Sequence, residues 1–332
     1  MNFIEINTPN KNLERNSLEN QILQNKRISR IINRAKKDIF TGKCICCGNT
    51  VDSFCNSHNV PAFCLNYISE KGMLGWSNTI YQLPGLKQDQ GINQAGTFHL
   101  ICRHCDSTMF QAYENVSAYN QDPPSSKVIA QIALKNYLKL LYKRYLEMGI
   151  YKRLEMLFPD NIPLYDYKIR ITQIDIDQYS QIFPKIKKTS FYDSNDEYFI
   201  HYYRLLNYVT PLAFQCPINL AVDLEGNIVN HIYDLSGKYH NKFIHVCVFP
   251  LENQTAVIVF TENHDKRYRN FFKQFNQLSA EEKLGVINYM ILLNSEDYFF
   301  SPTIYSSHPT SIHSGALEST ICSLCPRADI SL

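Results

Sequence analysis

A chain of 332 residues, 45% hydrophobic and 19% charged, is globular by class and long enough to bury a sizeable core and divide into two domains. No run approaches the roughly 18 apolar residues of a membrane span, and residues 1–23 carry Asn, Glu, Lys and Arg where a signal peptide needs an apolar segment, so a cytoplasmic protein with no membrane partner is expected. The formal net charge of +2 excludes a uniformly basic chain, but residues 1–43 hold nine Lys/Arg against four Asp/Glu, so any nucleic-acid surface should include this end.

Over 13–40, Leu18, Ile22, Leu23, Ile28, Ile31, Ile32 and Ala35 recur mostly at three- and four-residue steps, which predicts an amphipathic helix. Arg30, Arg34, Lys36 and Lys37 fall between them and have few acids to balance them, which favours phosphate contacts. Segment 43–115 reads as irregular, with short β-like stretches at 77–83 and 97–101 and a helix over 103–113. Its modest apolar content implies a fold held by metal.

The polar, proline-containing run Gln121-Asp122-Pro123-Pro124-Ser125-Ser126 marks a boundary. Ser126 is then the expected N-cap of a long helix ending near Gly149 or soon after. Beyond Pro163, alternation over 168–176, 218–222, 228–233, 243–249 and 255–260 predicts an antiparallel meander. Helices are expected over 266–275 and 280–293, the second with a Ser279/Glu282 capping box. The predicted class is α+β: a basic helical arm (1–43), a zinc domain (44–120) and an antiparallel-sheet α+β domain (121–332).

The chemistry-bearing set is Cys44-Ile45-Cys46-Cys47-Gly48, Ser57-His58-Asn59-Val60-Pro61 and His99-Leu100-Ile101-Cys102-Arg103-His104-Cys105-Asp106. Zinc takes four tetrahedral N/S ligands, and two Cys-x-x-Cys turns supply them, so Cys44, Cys47, Cys102 and Cys105 are the natural assignment, with a shift to Cys46 left open. A knuckle, a β-hairpin and a helix opened by the second pair is the treble-clef order, here with an insertion over 63–95. Cys322 and Cys325 form a further pair with no second pair to complete a site.

Residues 44–115 resemble the zinc-knuckle form of the HNH endonucleases, the ββα-metal nucleases, in the Ser-His-x-Val-Pro element and the Leu-x-Cys-x-x-Cys element that leads into a helix. The resemblance implies hydrolysis of DNA phosphodiester bonds, with His58 as general base, Asp106 as ligand to catalytic Mg²⁺ or Mn²⁺, and zinc as a structural ion. His99 is a further catalytic candidate, with a structural or substrate-facing role as its alternative. Ser57 stands where the family commonly has an acid, and with Glu114 it is a secondary candidate. A helical Glu114 would lie about 12 Å beyond Asp106, too far to share one ion. Arg103 joins the basic arm as a phosphate contact, the expected partner is double-stranded DNA, and an oligomer or regulatory partner fits the need to restrain a nuclease. Such architectures look like restriction or phage-defence effectors. The alternative is a non-catalytic zinc module that binds nucleic acid or protein, with a C-terminal sensor domain.

Overall fold

The computed structural model describes residues 18–78, 89–120, 123–194, 196–232, 234–294 and 297–303, and within them the chain is α+β. Helix α1 (Leu18–Asp38) buries Ala35, as the turn after it buries Ile39, and leaves Arg27, Arg30, Arg34, Lys36 and Lys37 exposed. It packs on α4 (Ser126–Leu157) at Gly149, where a Cβ would stand 3.1 Å from that of Ala35. Gly149 therefore does not end α4. The helix continues because Ile150, Tyr151 and Leu154 keep burying apolar surface. Its N-cap is Ser125 rather than Ser126, the Ser125 Oγ accepting the Val128 N–H at 3.4 Å.

Between α1 and α4 lies a small unit with a two-stranded sheet, β1 (Ser57–His58) antiparallel to β4 (Thr97–Phe98). Pro61 stops β1 and caps α2 (Ala62–Ile68), and Cys102 caps α3 (Arg103–Met109). The insertion between β1 and β4 does not stay with this unit. Its strands β2 (Met73–Asn78) and β3 (Asp89–Gly91) extend the large sheet, β2 pairing with β9 (Asp297–Phe300) near the other end of the described chain.

That sheet has the order β3-β2-β9-β6-β7-β8-β5 and is antiparallel throughout, with β5 (Tyr198–Leu206), β6 (Leu212–Ile218), β7 (Ile244–Pro250) and β8 (Thr255–Glu262). Successive strand residues point to opposite faces. Cys247, Phe249, Ala256, Ile258 and Phe260 pack toward α4 and the cysteine unit, while Val246, Val248, Val257 and Val259 pack with Phe271, Phe272 and Phe275 of α6 (Arg269–Gln277) and Ile287 and Ile291 of α7 (Ala280–Asn294). Both faces are covered, so β7 and β8 are buried at nearly every position rather than at alternate ones. The capping box forms as expected, Ser279 N–H to Glu282 Oε2 at 2.7 Å and Glu282 N–H to Ser279 Oγ at 3.3 Å.

Three expected strands are something else. Segment 168–176 lies inside helix α5 (Ile162–Thr189), which folds back along α4. Its inward residues, Tyr165, Ile169, Thr172, Ile176, Tyr179, Phe183 and Ile186, follow alternating four- and three-residue steps that the local Ile-Arg-Ile and Ile-Asp-Ile alternation disguised. Among the described residues, segments 218–222 and 228–233 hold only an isolated Val222–Ile228 bridge and the end of β6. Between them the Asp223 carboxylate accepts the Glu225 and Asn227 amides at 3.0 and 2.9 Å, which makes a tight turn there. The stretch expected at 77–83 is β2, shifted earlier; residues 79–83, like Cys322 and Cys325, lie outside the described residues.

Candidate active site and metal centre

Cys44 and Cys47 sit in a knuckle closed by the Gly48 N–H to Cys44 O bond at 2.8 Å, and Cys102 and Cys105 sit at the start of α3. The four sulfurs lie within 4.8 Å of one another, with Cys44–Cys105 at 3.8 Å and Cys47–Cys102 at 3.9 Å. A sulfur tetrahedron around zinc at about 2.3 Å has edges of about 3.8 Å, so this set fits such an ion. Burial alone would push the Cys44 thiol up, but the backbone amides of Cys47, Cys102 and Cys46 bring it down to about 7. Burial and the neighbouring sulfurs push the Cys105 thiol up, since anionic sulfurs this close need a shared cation. Cys46 is outside the cluster, and burial holds its thiol up at about 12. Among the described residues, these four cysteines are the one group of three or more His, Cys, Asp or Glu side chains close enough to hold a metal ion.

Beside this centre opens a cleft of about 610 Å³ lined by His58, Ala62, Asp106, Ser107, Phe110, Gln111, Glu114 and Asn115. β1 presents His58 and α3 presents Asp106 to the same space. His58 Nε2 is 2.9 Å from the Ile92 carbonyl oxygen. A carbonyl only accepts, so Nε2 carries the hydrogen and Nδ1 keeps its lone pair. Burial lowers the His58 pKa below the ordinary histidine value, and Lys135 and Lys139 act in the same direction against the Ile92 carbonyl and Asp106.

Asp106 Oδ1 accepts from the Ser57 hydroxyl at 2.6 Å and from Lys135 Nζ at 2.9 Å. Among the described residues, the polar contacts of the carboxylate fall on that oxygen and leave Oδ2 free. Lys135 also donates to Ser57 Oγ at 2.9 Å and lies 3.7 Å from Glu114 Oε1 and 4.2 Å from the Phe110 ring centroid. Its side chain is 1% exposed. Because α3 stops at Met109, the chain turns and brings Glu114 back to the ammonium that holds Asp106. The expected 12 Å separation of Asp106 and Glu114 rested on a longer helix and does not hold. Burial raises the Glu114 pKa against the opposing effect of Lys135.

His99 does not reach the cleft. It bridges Asn56 Oδ1 at 2.8 Å and Tyr142 OH at 3.3 Å on the flank facing α4. Ser57 is fully buried and meets the cleft only through its hydrogen bond to Asp106. Arg103 is exposed at the start of α3, as are Arg30, Arg34, Lys36 and Lys37 on α1.

Sequence reasoning missed Lys135. Its signal was present: Gln131, Lys135 and Asn136 are polar residues inside an otherwise apolar run, and all three are buried. They anchor a network in which the Tyr113 N–H donates to Gln131 Oε1 at 2.8 Å, Asn59 Nδ2 to Gln215 O at 2.6 Å, and Gln215 Nε2 to Asn136 Oδ1 at 3.1 Å. The network ties the residue after His58 to the middle of the sheet. Comparison with family models, curated proteins and solved structures finds no match to this chain.

Proposed function

We propose that this chain is a metal-dependent endonuclease that hydrolyses DNA phosphodiester bonds, as its resemblance to the HNH nucleases implies. The observation that carries this reading is the shared outlook of His58 and Asp106 onto one cleft. A water seated between His58 and a bound phosphodiester gives its proton to Nδ1 while its oxygen bonds to phosphorus. The P–O3′ bond breaks in line, and the departing oxygen takes a proton from solvent, leaving a 5′-phosphate and a 3′-hydroxyl. Mg²⁺ or Mn²⁺, when bound, supplies positive charge to the phosphoryl and leaving oxygens. Asp106 Oδ2 would hold that ion together with waters, which Mg²⁺ readily keeps.

The four cysteines form a closed ligand set with no open position, so zinc there has a structural role. The exposed cations of α1 and Arg103 suit contacts to the DNA backbone that carry no sequence information. A cytoplasmic restriction or phage-defence role is consistent with a nuclease unit joined to a second α+β part. The deciding experiment is plasmid nicking by the full chain with Mg²⁺ or Mn²⁺. Nicking by the wild type that disappears in His58→Ala, with zinc content and melting unchanged, supports the reading.

A second reading, a non-catalytic zinc module for nucleic acid or protein with a C-terminal sensor, is favoured by the ammonium already compensating Asp106. Wild type that holds zinc and binds DNA but never nicks it decides for this alternative.

A further inference from the structure

Lys135 comes from α4, outside the cysteine unit, yet its ammonium pairs with Asp106 at 2.9 Å. Its contacts resemble those of a bound cation: one hydroxyl oxygen, one carboxylate oxygen at 2.9 Å and a second carboxylate at 3.7 Å. A side chain with 1% exposure cannot touch substrate, so any role in the reaction passes through the groups it holds.

We propose that Lys135 is a positioning residue and the resident counter-ion of the cleft, its ammonium standing between Asp106 and Glu114 so that the cleft takes one divalent cation, on Asp106 Oδ2. The inference rests on the hydrolase reading above. The charges explain what the lysine achieves. Asp106 and Glu114 bring two negative charges and Lys135 one positive, so a single divalent ion turns the cleft net positive toward an anionic phosphodiester. Without the lysine, the same ion would only neutralise the carboxylates. The metal would then be held more tightly, because like-charge repulsion from an ammonium a few ångströms away is gone, but phosphate would be held less well. A merely structural lysine would have a different signature, with metal affinity and activity lost together.

The test is Mn²⁺ binding to full-length, zinc-loaded protein, read as the loss of free Mn²⁺ signal in electron paramagnetic resonance, beside nicking kinetics. Wild type should bind one Mn²⁺, lost in Asp106→Asn. Lys135→Met should bind Mn²⁺ about tenfold more tightly or better, while kcat/KM falls by about a hundredfold. Equal or weaker Mn²⁺ binding by a folded Lys135→Met overturns the proposal. Should that variant fail to fold, Glu114→Gln decides, since it alters a half-exposed side chain. With the ammonium between Glu114 and the ion, its Mn²⁺ affinity falls only about fivefold. A loss of about a hundredfold would mean that Glu114 ligates the ion and the ammonium gives way, and the proposal fails. Wild type that neither binds Mn²⁺ nor nicks DNA sinks the hydrolase reading and this inference with it. Wild type that does both, with Lys135→Met no tighter, sinks this inference alone.

Discussion

The ring of His58 and the carbonyl of Ile92 meet at 2.9 Å, and that contact assigns the hydrogen to Nε2 and the basic lone pair to Nδ1. With its pKa lowered by burial, His58 stays neutral below the usual histidine midpoint. The acid limb of the pH–rate profile for nicking should therefore have its midpoint below pH ~6.5. Asp106 and the Ile92 carbonyl oppose this, and Lys135 and Lys139 reinforce it. His58→Ala should lose about 10²- to 10⁴-fold in kcat, and a profile with its acid midpoint above that of free histidine would refute the assignment.

Zinc should be inseparable from the fold around the cleft. α3 has only seven residues, too few to persist alone, and it begins between two of the cysteines. Cys105→Ser, or a chelator strong enough to compete with a site worth about 10–16 kcal/mol, should release about one metal ion per chain. The lost metal should be matched by disorder of the Asp106 segment, read by hydrogen exchange. Unchanged protection there after metal loss would contradict the scaffold role.

DNA affinity should depend steeply on salt and on α1. Arg30→Glu together with Arg34→Glu should weaken binding equally on unrelated sequences and reduce the slope of log K against log salt by about 2. Both side chains are exposed, so melting should not move. Fluorescence anisotropy at several salt concentrations measures this, and an unchanged slope removes α1 from the interface.

Acid should destabilise the protein through its core histidines. His245 is 1% exposed, stacks on Phe260 and accepts from Asn136 Nδ2 at 2.9 Å; burial lowers its pKa to about 4. A depressed folded pKa means that the unfolded chain takes up the proton first, so stability is full above pH ~6.5 and declines as pH falls toward 4, by about 3 kcal/mol for this group. Denaturant melts at pH 7.5, 5.5 and 4.5 should show the decline. His245→Phe should flatten it while giving up the Asn136 hydrogen bond.

What was legible in the sequence had short range or strong chemistry. The cysteine spacing, the capping box at Ser279 and the β7 and β8 runs each depend on a few neighbouring residues, and each appears where expected. α5 was obscured because its Ile residues alternate locally while the inward face repeats over a longer interval. Lys135 was hidden for another reason. A lysine in a helix is ordinarily solvated, and only tertiary packing puts this one beneath a carboxylate 29 residues away in sequence. The return of Glu114 depended in the same way on where α3 stops, a boundary that composition does not mark.

The pairing of β2 with β9 fastens the insertion of the cysteine unit to a strand near the far end of the described chain. Severing the polypeptide at Pro123–Pro124 would thus yield two pieces that each lack something: one without the backbone partner of its inserted hairpin, the other with a charged amine facing no acid. Such pieces should regain order only when mixed, and a swap with some other protein would have to carry both at once.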